Sequence, residues 1–420
     1  MKPKLLTTLR GYTPAQFRGD AVAGVTVALV AIPLSLAIAI ASGANPAAGL
    51  ITAIVGGFLI SLLGGSRVQI GGPTGAFIVV VYGVIAAHGY AGLVLATLMA
   101  GVILVIAGLL RAGTLIEYVP EPVVNGFTIG IAVIIGSSQL KDFFGLTLAA
   151  VPADFLPKIA ALWTARQTLN PLALAAGLVA LVLILALRRL FPRLPGLIVA
   201  MALVSAVAAA LHLPVDSIGS RYGALPSHLP LPTIPAMSPA LLLSLMPSAL
   251  VIAFLAAIES LLSAMVADRL IDGSHRPNAE VIAQGFANIG SALFGGLPAT
   301  GAIARTATNV RAGGKTPVAG LVHAGAILLV MLIAAPLAGY LAMPAIAALL
   351  LTTAWNMSEP HKWPHYWRAP LADRVMLVAT MLLTVLSDLT IAIGVGVALG
   401  FALRFAAGRE KHAAWSEPDR

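Results

Sequence analysis

The stretch Gly295-Gly-Leu-Pro-Ala-Thr-Gly-Ala-Ile-Ala-Arg-Thr-Ala-Thr-Asn-Val-Arg311 interrupts an otherwise strongly apolar chain. It opens with glycines and a proline, which break helices, and leaves room for a helix of only about ten residues. It also carries Arg305, which no charged residue precedes within the stretch. Gly71-Gly-Pro-Thr-Gly-Ala-Phe77 has a similar pattern. Inside a membrane, such breaks are tolerated only where they face protein or a water-filled cavity.

The composition is that of a polytopic membrane protein. Of the 420 residues, 59% are hydrophobic and only 10% are charged. The mean hydropathy is +0.97, so the chain lacks the polar surface that a soluble globule needs. The net charge of +9 is spread over short connections and forms no basic patch, which argues against nucleic acid as a partner. The absence of cysteine excludes disulfides and cysteine metal ligands.

Fourteen segments predict an all-α membrane protein, with the third and tenth too short to cross the bilayer. Their ranges are 20–42, 47–64, 74–87, 91–110, 122–140, 171–190, 195–211, 241–266, 279–294, 300–310, 316–334, 337–353, 372–387 and 389–407. The longest connections, 141–170 and 212–240, are expected to lie over the surface. With the N-terminus inside, 20 of the 25 Lys and Arg residues fall on inner connections, four on outer ones, and Arg305 within a segment. This asymmetry predicts that both termini are cytoplasmic.

Seven segments followed by seven more imply two halves of opposite orientation, if the halves are related. Thr74-Gly75-Ala76 recurs at an offset of 226 as Thr300-Gly301-Ala302, in the two short segments. At the same offset, Ile32 aligns with Ile258 and Leu36 with Leu262. The chain is therefore predicted to be a 7+7 inverted repeat with two half-helices, the third and the tenth.

Each half-helix should begin near the bilayer midplane, where its N-terminus offers unpaired amides and about half a positive charge. Two such ends that face each other form an anion site, to which two threonine hydroxyls would add donors as N-caps. The alternative is that the breaks are ordinary kinks in two packed helices. The candidate substrate-binding residues are Thr74, Gly75, Ala76, Phe77, Thr300, Gly301, Ala302, Ile303, Ala304 and Arg305.

Glu259 is the one carboxylate predicted to lie deep within a segment. A charge there is costly and must be partnered, hydrated or protonated, which makes Glu259 the candidate coupling-ion residue. Ser263 follows one turn later on the same helix face and could share in coordinating a cation or water. For Arg305 the sequence leaves two alternatives open, because it either donates to the anion or forms an ion pair with Glu259. No residue pattern predicts a metal site, a cofactor or an enzyme.

Several motifs, in order along nearly the whole chain, resemble those of the SulP family of anion transporters, the sulfate permeases. The resemblance implies a transmembrane region of 19–408, with a core domain at about 19–111 and 241–334 and a gate domain at about 112–240 and 335–408. It further implies that substrate binds between the third and tenth segments, that the core moves like an elevator against the gate, and that the protein is a homodimer in the inner membrane. The motifs are Phe17-Arg-Gly-Asp20, Gly71-Gly-Pro-Thr-Gly-Ala76, Ser138-Gln-Leu-Lys-Asp142, Glu259-Ser-Leu-Leu-Ser263, Val266-Ala-Asp268, and Arg305-Thr through Gly313-Gly-Lys-Thr316.

Two departures from the family pattern bear on the substrate and the domains. Family members usually continue into a cytoplasmic STAS domain. In this chain that domain is expected to be absent, and the prediction is a cytoplasmic tail at 409–420. A cytoplasmic N-terminus is predicted at 1–18. Sulfate carriers often have Pro-Gln in the first segment, where this chain has Pro33-Leu34-Ser35, which leaves bicarbonate or a dicarboxylate such as fumarate beside sulfate. In the family an acid at the position of Glu259 implies symport, and Glu instead of Asp favours H+ over Na+. The alternatives are a sodium-coupled bicarbonate symporter and an anion channel or exchanger.

Overall fold

The computed structural model describes residues 2–114, 121–148, 151–191 and 195–386. These ranges are mostly helical, with two short strands, β1 (Gly71–Gly72) and β2 (Thr300–Gly301). A π-helical turn, Thr52–Gly56, joins α3 to α4, and a 3-10 turn, Gly75–Phe77, precedes α5. The helices are α1 Lys4–Thr8, α2 Pro14–Ala41, α3 Pro46–Ile51, α4 Gly57–Leu63, α5 Ile78–Leu109, α6 Glu121–Phe144, α7 Phe155–Thr164, α8 Pro171–Leu190, α9 Gly196–Ala210, α10 Ile218–Tyr222, α11 Pro239–Ile271, α12 Pro277–Leu293, α13 Ile303–Arg311, α14 Val318–Ala338, α15 Met343–Met357, α16 Trp363–Arg368 and α17 Leu371–Leu386.

Seven helices of the described ranges are long and apolar enough to cross a membrane, as expected of a multi-pass membrane protein. The first thirteen predicted segments coincide with helices, although most boundaries move by a few residues. The third and fourth both lie in α5, which is broken at Gly89, where φ is 68°. The fourteenth segment, 389–407, and the tail, 409–420, lie outside the described residues. The 7+7 count and the inverted repeat therefore stay predictions.

The two long connections contain helices that the sequence analysis missed. Helix α7 lies within 141–170, and α10 lies within 212–240. One face of α7 buries Lys158 and Leu162, so this helix is packed onto the protein and is not a loose surface loop. Both helices are shorter than the roughly 17 residues that a search for membrane-spanning segments requires.

The long helices sort into two packing groups. In the first group α12 packs against α5, α14 against α2 and α4, and α11 against α5 and α13. In the second group α6 packs against α15 and α17, and α8 against α9 and α15. Helix α2 can approach α14 closely because Gly24 has no side chain. A Cβ at this position would collide with the Ala319 carbonyl oxygen. The core and gate domains, with their predicted ranges, stay a prediction.

Candidate functional site

The two broken stretches meet through backbone pairing. Strands β1 and β2 are antiparallel, with Gly71 opposite Gly301 and Gly72 opposite Thr300. The 3-10 turn that leads into α5 follows β1 at Gly75, and α13 follows β2 at Ile303. The structure thus brings together two helix starts that lie more than two hundred residues apart in the sequence.

The first turn of α13 has free backbone donors. Its first helical hydrogen bond runs from Thr306 N to Ala302 O at 2.9 Å. The amides of Ile303, Ala304 and Arg305 therefore have no acceptor within the helix. Ile303 is 44% exposed, and Ala304 is exposed as well. This first turn is accessible to a solute and carries the positive end of the helix dipole.

The opposite helix start is more enclosed. Phe77 N donates to Thr74 O at 3.3 Å, and the amides of Gly75 and Ala76 precede this bond. The side chains of Ala76 and Phe77 are buried, whereas Thr74 and Gly75 are partly exposed. A Cβ at Gly75 would lie 2.8 Å from Sδ of Met357, so α15 of the second packing group covers this start.

Both site threonines use their hydroxyls away from the helix ends. Thr300 Oγ1 donates to Ala256 O of α11 at 2.9 Å. Thr74 Oγ1 donates to Glu259 Oε2, also of α11, at 2.7 Å. The predicted N-cap bonds are not made, because Thr74 forms no capping bond and α13 has Ala302 at its N-cap. Instead, the threonines attach both helix starts to α11.

Glu259 and Ser263 have different surroundings. Glu259 is partly exposed, and its carboxyl accepts a hydrogen bond from the Thr74 hydroxyl. This contact places the Glu259 carboxyl beside the start of the 3-10 turn. Ser263 is fully buried, and its hydroxyl lies 3.2 Å from Thr306 Oγ1. Thr306 Oγ1 also accepts a hydrogen bond from Ile70 N at 3.1 Å. The Ser263 hydroxyl thus contacts α13, whereas the Glu259 carboxyl contacts Thr74, which precedes the 3-10 turn.

Arg305 is 2% exposed and lies against β1. Its Nη2 donates to Ser35 Oγ at 3.2 Å and to Pro73 O at 3.1 Å. Within the described part of the chain it forms no ion pair with Glu259. Its Nε and Nη1 have no hydrogen-bond partner among the described residues. A guanidinium held by neutral oxygens keeps its positive charge available beside the two helix starts.

Glu280 is a buried carboxylate that the sequence analysis did not identify. It is 0% exposed, as is Asp20, so Glu259 is not the only acid within the protein interior. Glu280 Oε2 accepts from Gly65 N at 2.8 Å and from Ser66 N at 3.2 Å. Its Oε1 accepts from Ser260 Oγ at 2.9 Å and from Gln284 Nε2 at 2.8 Å. These donors satisfy the buried charge and make Glu280 a structural residue.

The segment that leads into β1 is held by side chains of the second half of the chain. Thr306 Oγ1 accepts a hydrogen bond from Ile70 N, and Asn309 Nδ2 donates to Val68 O at 2.8 Å. Gln69 Nε2 donates to Ser260 O at 3.0 Å. Because β1 has only two residues, these contacts and those of Glu280 fix where it meets β2.

The segment that leads into β2 is held in the same manner. Leu297 N donates to Thr52 Oγ1 at 2.6 Å, and Ser291 Oγ donates to Leu297 O at 2.6 Å. Ala299 N donates to Asn288 Oδ1 at 3.0 Å. Thr52 belongs to the π-helical turn of the first half, so each half helps to position the other.

Two sequence motifs meet at the start of α2. Asp20 Oδ1 accepts from Lys315 N at 2.7 Å, and its Oδ2 accepts from Tyr12 Oη at 2.8 Å and from Thr316 Oγ1. Burial and the neighbouring Asp20 raise the pKa of Tyr12 to about 12. Asp20 therefore anchors the connection that leaves α13, and with it the C-terminal end of the half-helix.

Comparison with known proteins decides the family. The sequence profile of the sulfate permease family matches residues 17–380. The chain belongs to this family. Its resemblance to the SulP transporters is thereby confirmed, and it is an anion transporter of the sulfate permease type.

Two relatives of the chain are named after different anions, sulfate and bicarbonate. YvdB of Bacillus subtilis, described as a candidate sulfate transporter, is 43% identical over 93% of this chain and 74% of its own length. The bicarbonate transporter BicA of a Picosynechococcus strain is 34% identical over 90% of this chain and 69% of its own length.

Two solved structures share the fold. The transmembrane domain of a cyanobacterial bicarbonate transporter BicA superposes with a TM-score of 0.82 at 31% identity, covering 91% of this chain and 99% of that domain. SLC26A9 superposes with a TM-score of 0.87 at 18% identity, covering 95% of this chain and 67% of that protein, which shows a common fold. The chain therefore has the all-helical membrane transporter fold of these proteins.

Proposed function

We propose that the chain is a secondary active transporter that carries a small anion together with a proton across the inner membrane, with both termini cytoplasmic. The anion binds between the helix starts at 75–77 and 303–305. Their free amides, their helix dipoles and the Arg305 guanidinium attract negative charge without a bound metal. The observation that carries the proposal is the β1–β2 pairing, which fixes the two N-termini together next to Glu259.

Glu259 couples the proton to the anion through Thr74. The Thr74 hydroxyl lies 2.7 Å from the Glu259 carboxyl and directly precedes the turn that would bind the anion. An anion and an ionised carboxylate repel each other strongly in a low-dielectric site. Protonation of Glu259 removes this repulsion, so proton and anion each favour binding of the other.

The contacts of Ser263 support a proton over a sodium ion. Na+ is a hard cation and needs several oxygen ligands in one place. Ser263 was the oxygen expected beside Glu259, and its hydroxyl instead contacts Thr306 at 3.2 Å. A proton needs only the carboxyl itself.

The packing of Gly75 supports movement of a core against a gate. Gly75 starts the 3-10 turn of the first packing group, yet its nearest side chains are Met357 of α15 and Ile135 of α6 in the second group. Sliding of one group past the other would exchange this contact for another. The anion site would then open to the opposite side of the membrane.

Uptake by proteoliposomes tests the proposal. Radiolabelled bicarbonate and sulfate come first, because relatives carry their names, and fumarate is the third anion. We expect accumulation to follow an imposed pH gradient and not a sodium gradient. Accumulation that follows sodium would replace the proton by a sodium ion, and a steady current without accumulation would indicate a channel.

Glu259→Gln tests the coupling residue. The variant is expected to lose proton-driven accumulation while retaining anion exchange, because the amide keeps the shape of the carboxyl but carries no proton. Glu359→Gln is the matched control, since the Glu359 carboxylate lies 2.8 Å from Lys362 Nζ and makes none of the contacts to Thr74 or Arg305 described above. Accumulation that is unchanged in Glu259→Gln would remove Glu259 from the mechanism.

Arg305→Ala tests the anion site. Arg305 donates to two neutral oxygens, so its removal leaves no buried carboxylate unpaired. Loss of a charge-assisted interaction worth about 1.5–3 kcal/mol predicts a KM for the anion that is raised roughly 10-fold to 150-fold. A variant that fails to fold would instead assign Arg305 a structural role.

A further inference from the structure

His323 of α14 is a buried side chain with no role in the proposed mechanism. It is 0% exposed, and neither of its ring nitrogens has a hydrogen-bond partner among the described residues. Most buried polar groups in proteins are hydrogen-bonded, so two unpartnered nitrogens in one ring require an explanation. Ordinary core packing does not supply one, because an apolar side chain would fill the space without this cost.

His323 lies beside the site of Arg305. Its Cε1 is 3.9 Å from the position that a Cβ of Gly57 would take, and Gly71 O is 3.0 Å from the same position. At the next residue, Gly72, the nearest atom is Nη1 of Arg305. The imidazole and the guanidinium thus lie beside consecutive residues of β1.

The hydrogen-bonding needs of the two side chains are complementary. Arg305 has two nitrogens without a partner, and a guanidinium is only a donor. A neutral imidazole offers one acceptor nitrogen and one donor nitrogen. Gln69 Oε1 and Ser61 Oγ are also buried without a partner among the described residues, but His323 and Arg305 are the pair that flanks consecutive residues of β1.

We propose that His323 is a positioning residue for Arg305. The guanidinium donates to one bridging water molecule, which in turn donates to the uncharged imidazole, and this link holds the guanidinium toward the anion. A carboxylate at this position would do the same but would cancel the positive charge that the anion needs. A second cation would repel the guanidinium at short range. The inference rests on the proposed function, because it assigns His323 to the same anion site.

The KM of anion exchange in proteoliposomes tests this role, with bicarbonate and sulfate as the anions. Exchange is measured at one pH and without a proton gradient, so that differences in KM between variants report on the anion site. His323→Leu, which removes the acceptor at similar volume, is expected to raise the KM about tenfold, as loss of one charge-assisted hydrogen bond implies. His323→Asn or His323→Gln, which restores an acceptor, should return the KM to within about threefold of wild type. Gly325→Ala is the control on the same helix, since nothing lies within 4 Å of an added Cβ there.

A double substitution separates positioning from packing. In an Arg305→Ala background, His323→Leu should leave the KM unchanged, because the guanidinium through which it acts is gone. Equal effects of Leu, Asn and Gln, or a further tenfold loss in that background, would overturn the inference. If His323→Leu does not fold, His323→Ala takes its place in the same comparison. Wild-type protein that exchanges neither anion would refute the proposed function, whereas normal exchange by His323→Leu would refute only the role of His323.

Discussion

Gly72→Ala is a substitution that should disturb both the backbone of β1 and the position of Arg305. Gly72 lies in β1 at φ 148°, a conformation that residues with a side chain rarely adopt. A Cβ there would collide with Nη1 of Arg305. The methyl group therefore strains the backbone and displaces the guanidinium.

The expected loss of stability has two parts. An alanine in a sparsely populated backbone region costs about 1–3 kcal/mol. Displacing Arg305 breaks at least one of its bonds to Ser35 Oγ and Pro73 O, at about 1.5–3 kcal/mol for a charged donor. The sum predicts a decrease of roughly 2.5–6 kcal/mol in the free energy of unfolding.

Unfolding in mixed detergent micelles, followed by tryptophan fluorescence, measures this loss. Gly83→Ala is the matched control, because Gly83 lies in α5 with nothing within 4 Å of an added Cβ. The control should be neutral or stabilising by about 0.5–1 kcal/mol, as for alanine in place of glycine within a helix. Anion exchange measured on the same samples should show a raised KM for Gly72→Ala only.

A double-mutant cycle with Arg305→Ala isolates the collision. Without the guanidinium, Gly72→Ala should cost only the backbone part, about 1–3 kcal/mol. The interaction energy between the two substitutions should then be about 1.5–3 kcal/mol. An interaction energy below about 0.5 kcal/mol would show that Arg305 does not lie against β1, and the reasoning would be wrong.

Three further substitutions test the scaffold around the site. Glu280→Gln should lower the free energy of unfolding by at least about 3 kcal/mol, because an amide cannot accept from all the donors of Glu280, whereas its effect on anion KM should be small. Thr306→Val should cost about 1–3 kcal/mol because Ile70 N loses its acceptor, while Thr306→Ser, which keeps the hydroxyl, should not. Burial lowers the pKa of Lys158, so Lys158→Met should stabilise the protein at neutral pH, where the ammonium is charged in both folded and unfolded states. This gain should fade as the pH rises toward about 10.4, above which lysine is neutral in both states, and unfolding curves at several pH values measure it against Lys141→Met.

The sequence was sufficient to locate the two helix starts. Glycine and proline act on the backbone locally, so Gly71 to Pro73 and Gly295 to Pro298 could be recognised as breaks without knowledge of any neighbour. Hydropathy located the long helices for a similar reason, since each must present apolar residues along its own length. The contact between the two starts was inferred only from the assumption of an inverted repeat. The β1–β2 pairing is the first direct observation of this contact.

The polar contacts could not be predicted, because their partners are distant in the sequence. Thr74 and Glu259 are 185 residues apart, and a helix start suggests an N-cap role for any threonine. One signal was nevertheless present. Glu280, Gln284, Asn288 and Ser291 follow one another at helical spacing, and all are buried. An average over a hydropathy window hides such a stripe, whereas its period of about 3.6 residues predicts one polar helix face within the protein.

Under the proposed function, the hydrogen-bond partners of Arg305 and Glu259 explain how one site can respond to both an anion and a proton. An ion pair between them would cancel both charges, and neither a proton nor an anion would then change the electrostatics of the site much. In this chain the guanidinium is held by a hydroxyl and a carbonyl oxygen, and the carboxyl by the Thr74 hydroxyl. Each charge is positioned by neutral groups and is left uncompensated. Under the proposed function, binding of an anion near Arg305 is sensitive to the protonation of Glu259, which is the electrostatic condition for symport.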